Sequence, residues 1–243
     1  MSPVHRHPHV SPGNESTAGY AEAMERITLG KMQNPIRGFL HGGAAVASFV
    51  AMILLVADSW EIANARIGAL VFGLSLILMY TTSSLYHSIP WRGEWKLRMQ
   101  RLDHSMIFLV VAGTFTPIAV ASLQGPRLAI ALGSVWGLAV LGIVLKTVLT
   151  TTATSLSVTI QLLMGWSAVF WMPEFYRQLG AGAVILLALG GLCYTVGVII
   201  FLSKRPRLFP RIFSYHELFH VLVITASTLH FLAVLLYAIP ASV

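Results

Sequence analysis

The chain has 243 residues, 56% of them hydrophobic and 10% charged, with a formal net charge of +7. Its charges fall in clusters separated by continuously apolar runs of bilayer-spanning length, which excludes a soluble globular enzyme and argues against a β-barrel, whose strands alternate in polarity. The basic excess reads as a topology signal and an attraction to anionic inner-leaflet lipid rather than a nucleic-acid-binding surface, and the single cysteine, Cys193, excludes a disulfide framework.

Residues 1–34 are polar and carry Glu15, Glu22, Glu25, Arg26 and Lys31 with no apolar core, so they do not resemble a cleavable signal peptide. They are expected to form a flexible polar cytoplasmic segment. A bilayer core of about 30 Å takes roughly 20 helical residues to cross, and apolar stretches of that length lie at 38–57, 67–88, 104–123, 128–149, 155–172, 181–202 and 218–239, with Lys146 the one Lys or Arg within them. The fold class is therefore all-α, a polytopic bundle of seven transmembrane helices over 35–243, with loops too short for a second domain. Gly42-Gly43 and Gly190-Gly191 predict close helix contact, and Thr116-Pro117 predicts a kink in the third span.

Lys and Arg are retained on the cytoplasmic side of short loops. With the N-terminus inside, thirteen of the sixteen fall in the cytoplasm, leaving only Arg66, Arg127 and Arg177 outside. The expected topology is N-in and C-out, in the cell membrane.

In that topology several ionisable residues meet at the cytoplasmic level. His87 lies about one turn before Pro90 at the end of the second span, with Ser83 one turn deeper on the same face; Asp103 opens the third span; His216 and His220 share a face at the start of the seventh. A single histidine in an apolar helix is more often a hydrogen-bonded packing residue than a ligand. Burying Asp103 costs about 2.5–3.5 kcal/mol on insertion scales, however, and a divalent cation beside it would supply the compensating charge. Two imidazoles at i,i+4 plus a third from another helix make the three-ligand, one-open-position set of a catalytic zinc. His104 is rotated roughly 100° from Asp103 and is expected to hydrogen-bond within the bundle. His230 reads as a buried polar contact, and His5, His7 and His9 as part of a solvated tail.

Three short segments carry a resemblance: S-S-L-Y-H at 83–87, R-L-D-H at 101–104 and H-E-L-F-H at 216–220 resemble, in order and spacing, the signatures of the hemolysin III family. That family is grouped with the adiponectin and progestin receptors and the alkaline ceramidases. The resemblance implies zinc bound by His87, His216 and His220, with Asp103 as the acidic residue near the metal and Ser83 supporting it. One departure is Arg37, which stands where the family pattern has Asn ahead of the histidine of the first span, so no role is assigned to His41.

His216-Glu217-Leu218-Phe219-His220 also matches H-E-x-x-H, in which the Glu is the general base of a metalloprotease. In the favoured reading Glu217 faces away from the metal and serves as a helix-start carboxylate. Three function classes follow: a zinc-dependent hydrolase of a lipid amide or ester, with membrane lipid as substrate or ligand; a receptor-like bundle in which zinc is structural; and a cytolytic pore, disfavoured because the spans are too apolar to line a wide aqueous lumen.

Overall fold

The computed structural model describes residues 32–148, 154–209 and 213–242. Residues 1–31 with their three histidines, residues 149–153 and Arg211 lie outside the described residues. Every regular element described is helical: α1 (Pro35–Asp58), α2 (Ala63–Ser88), α3 (Gly93–Ser122), α4 (Gly125–Val148), α5 (Thr154–Trp166), a 3₁₀ turn (Ser167–Trp171), α6 (Met172–Ser203), α7 (Tyr215–Ala233), a π turn (Val234–Ala238) and α8 (Ile239–Ser242).

The punctuation is chemical. Pro35 occupies the first turn of α1, where a missing N–H costs nothing. Pro90 holds Ile89 extended and stops α2. Gly180 takes φ 83°, a left-handed backbone that breaks the helical path within α6.

Six stretches are long and apolar enough to cross a membrane. The two spans expected at 155–172 and 181–202 fall within one of them, the helical run Leu156–Ser203. That run is not straight. Trp166 Nε1 donates to Thr195 Oγ1 at 3.3 Å, whereas an unbroken helix would set these residues about 43 Å apart. The 3₁₀ turn and Gly180 lie between them and are where the regular helix fails.

α3 is the most enclosed span: 61% of its apolar window is buried, against 22% for α1 and for α4. It packs on α2 and α4 and also touches α5, α6 and the π turn, while α7 packs on α6 and closes against α1. First and last spans thereby meet beside the central helix. The interior is filled by small and aromatic side chains, including Ala69, Phe72, Phe108, Ala112, Ala119 and Phe175, while Phe39, Val46, Ile67, Ile130 and Leu189 stand exposed. That inversion is what a lipid solvent permits.

The expected close contacts fall on one glycine of each pair. A Cβ on Gly190 would meet the His230 ring at 2.3 Å and one on Gly42 would meet Ser84 at 3.1 Å, whereas Gly43 and Gly191 face open space. α3 runs through Pro117 as one helix, and Thr116 Oγ1 donates back to the Ala112 carbonyl at 2.8 Å.

Candidate metal centre

The site lies at the end of the bundle where α1, α3 and α7 begin and α2 ends. Helix ends leave carbonyls and N–H groups without intrahelical partners, and here the ends satisfy each other. The N–H groups of Asn34 and Gln33 donate to the carbonyls of His87 (2.8 Å) and Ser88 (3.2 Å) at the end of α2. One turn deeper Ser84 Oγ donates to the Gly38 carbonyl at 2.8 Å. A Cβ on Gly38 would lie 2.1 Å from Ser88 Oγ, so a larger residue there would force that serine to move.

α7 is tied to α1 by charge. Arg37 Nε donates to Glu217 Oε1 at 2.6 Å, with both side chains largely buried. The other oxygen, Oε2, accepts the Ser214 N–H at 2.9 Å, as expected of a helix-start carboxylate. Both Glu217 oxygens are thus engaged by groups that build the fold, which removes the free carboxylate that a metalloprotease reading of H-E-x-x-H requires.

These ties bring three imidazoles face to edge. Ring centroids are 5.1 Å apart for His87–His216, 5.0 Å for His87–His220 and 4.9 Å for His216–His220. One ligand nitrogen from each lies within 4.8 Å of the other two. His87 and His220 are buried, and Nε2 of His87 and Nδ1 of His220 have no hydrogen-bond partner among the described residues. A buried polar atom without a partner costs about 1–3 kcal/mol. A cation among the three rings would engage such nitrogens, so the donor set fits a metal ion. Imidazole donors suit several first-row divalents.

Asp103, half-buried on α3, is not among the three mutually close donors. Ser83, one helical turn from His87 on α2, is the polar neighbour of the Asp103 carboxylate, so α2 and α3 bring these two polar groups together. His104 is not among the three mutually close donors either; its backbone carbonyl accepts from Gln161 Nε2 at 3.2 Å. His230 Nε2 meets the Leu187 carbonyl at 3.3 Å, a buried polar contact far from the cluster.

Two features were not assigned from the sequence. His41 is buried and stacks on His220 at 3.8 Å with ring planes 15° apart, and Tyr80 stands edge-on to it at 5.0 Å. Neither of its nitrogens has a partner among the described residues. The signal for it was its i,i+4 spacing from Arg37. Below it, the Tyr80 hydroxyl donates to Ser227 Oγ at 2.9 Å, and the Tyr194 hydroxyl lies 2.9 Å from the same oxygen, joining α2, α7 and α6 through buried hydroxyls. Only the tertiary structure brings these three together.

Residues 30–231 match the family described as haemolysin-III related. The chain is 33% identical to "Hemolysin-3" of Bacillus cereus over 222 residues, covering 90% of this chain and 98% of that protein. It is 32% identical to "Hemolysin-3 homolog" of Bacillus subtilis (strain 168) over 205 residues, covering 82% and 91%. A more distant similarity, 24% over 184 residues and covering 74% and 72%, is to the human "Monocyte to macrophage differentiation factor". The match spans α1 to α7 and contains every residue of the histidine cluster: this chain belongs to the haemolysin-III-related family of multi-pass integral membrane proteins.

Proposed function

We propose that the chain is a seven-span, zinc-binding membrane protein that hydrolyses a lipid amide or ester at the cytoplasmic leaflet. The observation that carries this reading is the approach of His87, His216 and His220, one ligand nitrogen of each lying within 4.8 Å of the other two, with ring nitrogens of His87 and His220 left without a partner among the described residues. His87, His216 and His220 hold the metal. Zinc, when bound, supplies a Lewis acid and an acidified water at neutral pH.

The chain's own residues do the rest. Ser83 donates to Asp103 and so fixes the carboxylate's orientation while leaving its other lone pairs free to accept a proton. Asp103 serves as general base and as counter-charge to the metal. His41, stacked flat on His220, keeps that ring from rotating and shields the inner face of the site from the bundle interior. The Arg37–Glu217 pair holds α1 against α7, which sets the spacing between α7's two imidazoles and the one on α2.

The sevenfold crossing is supported by the reversal of chain between Trp166 and Thr195, and the N-in, C-out orientation by the thirteen-to-three distribution of Lys and Arg. A reporter fused after Val243 is expected to be extracytoplasmic; a cytoplasmic signal would move the site to the other leaflet.

Zinc content of purified protein, combined with a lipidomic comparison of cells with and without it, tests the whole reading. About one zinc per chain and a lipid that accumulates in its absence are expected. One zinc with no lipid change favours the receptor-like alternative, in which the metal clamps the bundle. The name Hemolysin-3 of the Bacillus cereus relative brings in a cytolytic alternative, and against it stands the interior, which Phe72, Ala112 and Phe108 fill.

A further inference from the structure

A cavity of about 500 Å³ opens at the same end of the bundle, between the starts of α1, α3 and α7 and the end of α2. That is within the usual range for a small-ligand site, roughly 300–1,000 Å³. His87 and His216 line it, so it leads directly to the candidate metal centre.

The rest of its lining has one electrostatic sign. Arg37 and Lys96 contribute cationic side chains, Gln33, Asn34 and Gln100 contribute amides, and no carboxylate lines it among the described residues. Arg37 is only partly spent: Nε binds Glu217, and among the described residues its two terminal nitrogens carry no hydrogen bond. Lys96 forms no ion pair among the described residues, although Arg98, half a turn away on the same helix, is paired with Glu94 at 3.0 Å. Gly93 brings the first turn of α3 to the cavity, and that turn has no side-chain cap. Its free N–H groups add a fixed positive dipole. A fork of guanidinium N–H donors, an ammonium and uncapped backbone amides together match the oxygens of a phosphate group.

We infer that this cavity binds a phosphate group, with Lys96 and the free edge of Arg37 as its charged contacts, and that the group is the headgroup of an anionic lipid whose acyl linkage is presented to the histidine centre. The inference rests on the proposed hydrolase reading and narrows its substrate class to phosphate-bearing lipids. Recognition alone is assigned here.

The test uses full-length protein in maltoside detergent, with phosphatidic acid and inorganic phosphate as separate probes and binding read by the shift in thermal unfolding midpoint. Phosphatidic acid is expected to bind at least about tenfold more tightly than inorganic phosphate, and Lys96→Glu to weaken it by about tenfold or more, the scale of one charge-assisted contact. Arg98→Glu makes the same charge change on the same helix outside the cavity and is expected to leave binding within about twofold. Equal losses in the two variants would mean a diffuse surface attraction and overturn the proposal, as would the absence of any shift with either probe. Equal affinity for both probes would assign the cavity to free phosphate and remove the lipid from the inference. Because the readout needs no turnover, its failure is distinguishable from that of the hydrolase reading, which stands or falls on Asp103→Asn.

Discussion

The two ends of α7 carry histidines that look alike in sequence and differ in kind. At the start, His220 is buried, has a ring nitrogen without a partner and lies within 5.0 Å of two other imidazoles, with a third stacked on it. Three turns on, His230 is also buried, but its Nε2 meets the Leu187 carbonyl, its ring fits against Gly190 and, among the described residues, no second imidazole packs on it. His230 also keeps one nitrogen unpartnered. Burial and an unsatisfied atom therefore do not define a ligand. Convergence of several donors on one point does.

The sharpest way to break the comparison is to delete each histidine. His87→Ala, His216→Ala and His220→Ala are each expected to abolish stoichiometric metal in purified protein, because two imidazoles leave too few fixed donors for a closed site. His230→Ala is expected to keep it. Full occupancy after His87→Ala would show that α2 supplies no ligand and the comparison is drawn at the wrong place. His41→Phe, which keeps the stacked ring and removes its nitrogens, is expected to retain the metal; loss would make His41 a fourth donor.

Activity separates the neighbours of the cluster from its members. Asp103→Asn preserves shape but removes the proton acceptor, so lipid turnover should fall about 10²–10⁴-fold with metal retained, the usual share of general acid–base catalysis. Turnover at the parent rate would leave zinc as a structural clamp. Glu217→Gln should keep metal and activity while lowering stability by about 1–3 kcal/mol, since it neutralises one partner of the largely buried Arg37–Glu217 pair. Abolished activity with metal and fold intact would restore Glu217 as a general base. The smallest effect is expected from Tyr80→Phe, which removes one hydrogen bond to Ser227 and should cost about 1 kcal/mol of stability. A thermal midpoint unchanged by Tyr80→Phe would mean the buried hydroxyls contribute nothing net.

Much of this was legible from composition and periodicity. Helix ends near Pro35 and Ser88 agree with uncharged runs bounded by Pro or charge, because bilayer thickness dictates run length. The Leu156–Ser203 region was read as two separate spans, and there the chain stays helical almost throughout: Pro173 falls in the first turn of α6, where a missing N–H is tolerated, and the regular path fails only in the 3₁₀ turn and at Gly180. Hydropathy counts length and not direction.

For the site, spacing alone placed His216 and His220 on one face, since 3.6 residues per turn sets i,i+4 neighbours without reference to any other helix. His87 as the third member, Asp103 near the metal and Ser83 in support came from family resemblance; the packing of α2 between α1 and α3 gives His87 its place and sets Ser83 beside Asp103. The partner of Arg37 and the place of His41 were beyond the sequence, because α1 and α7 are separated by the whole chain and meet only when the bundle closes. What the sequence by itself determined is membrane residence, helical class and the local faces of each span, all consequences of hydrophobic run length and helical period. The tertiary structure alone decided which faces meet, because those contacts depend on small residues such as Gly38 permitting close approach and on the buried Arg37–Glu217 pair drawing the first and last spans together.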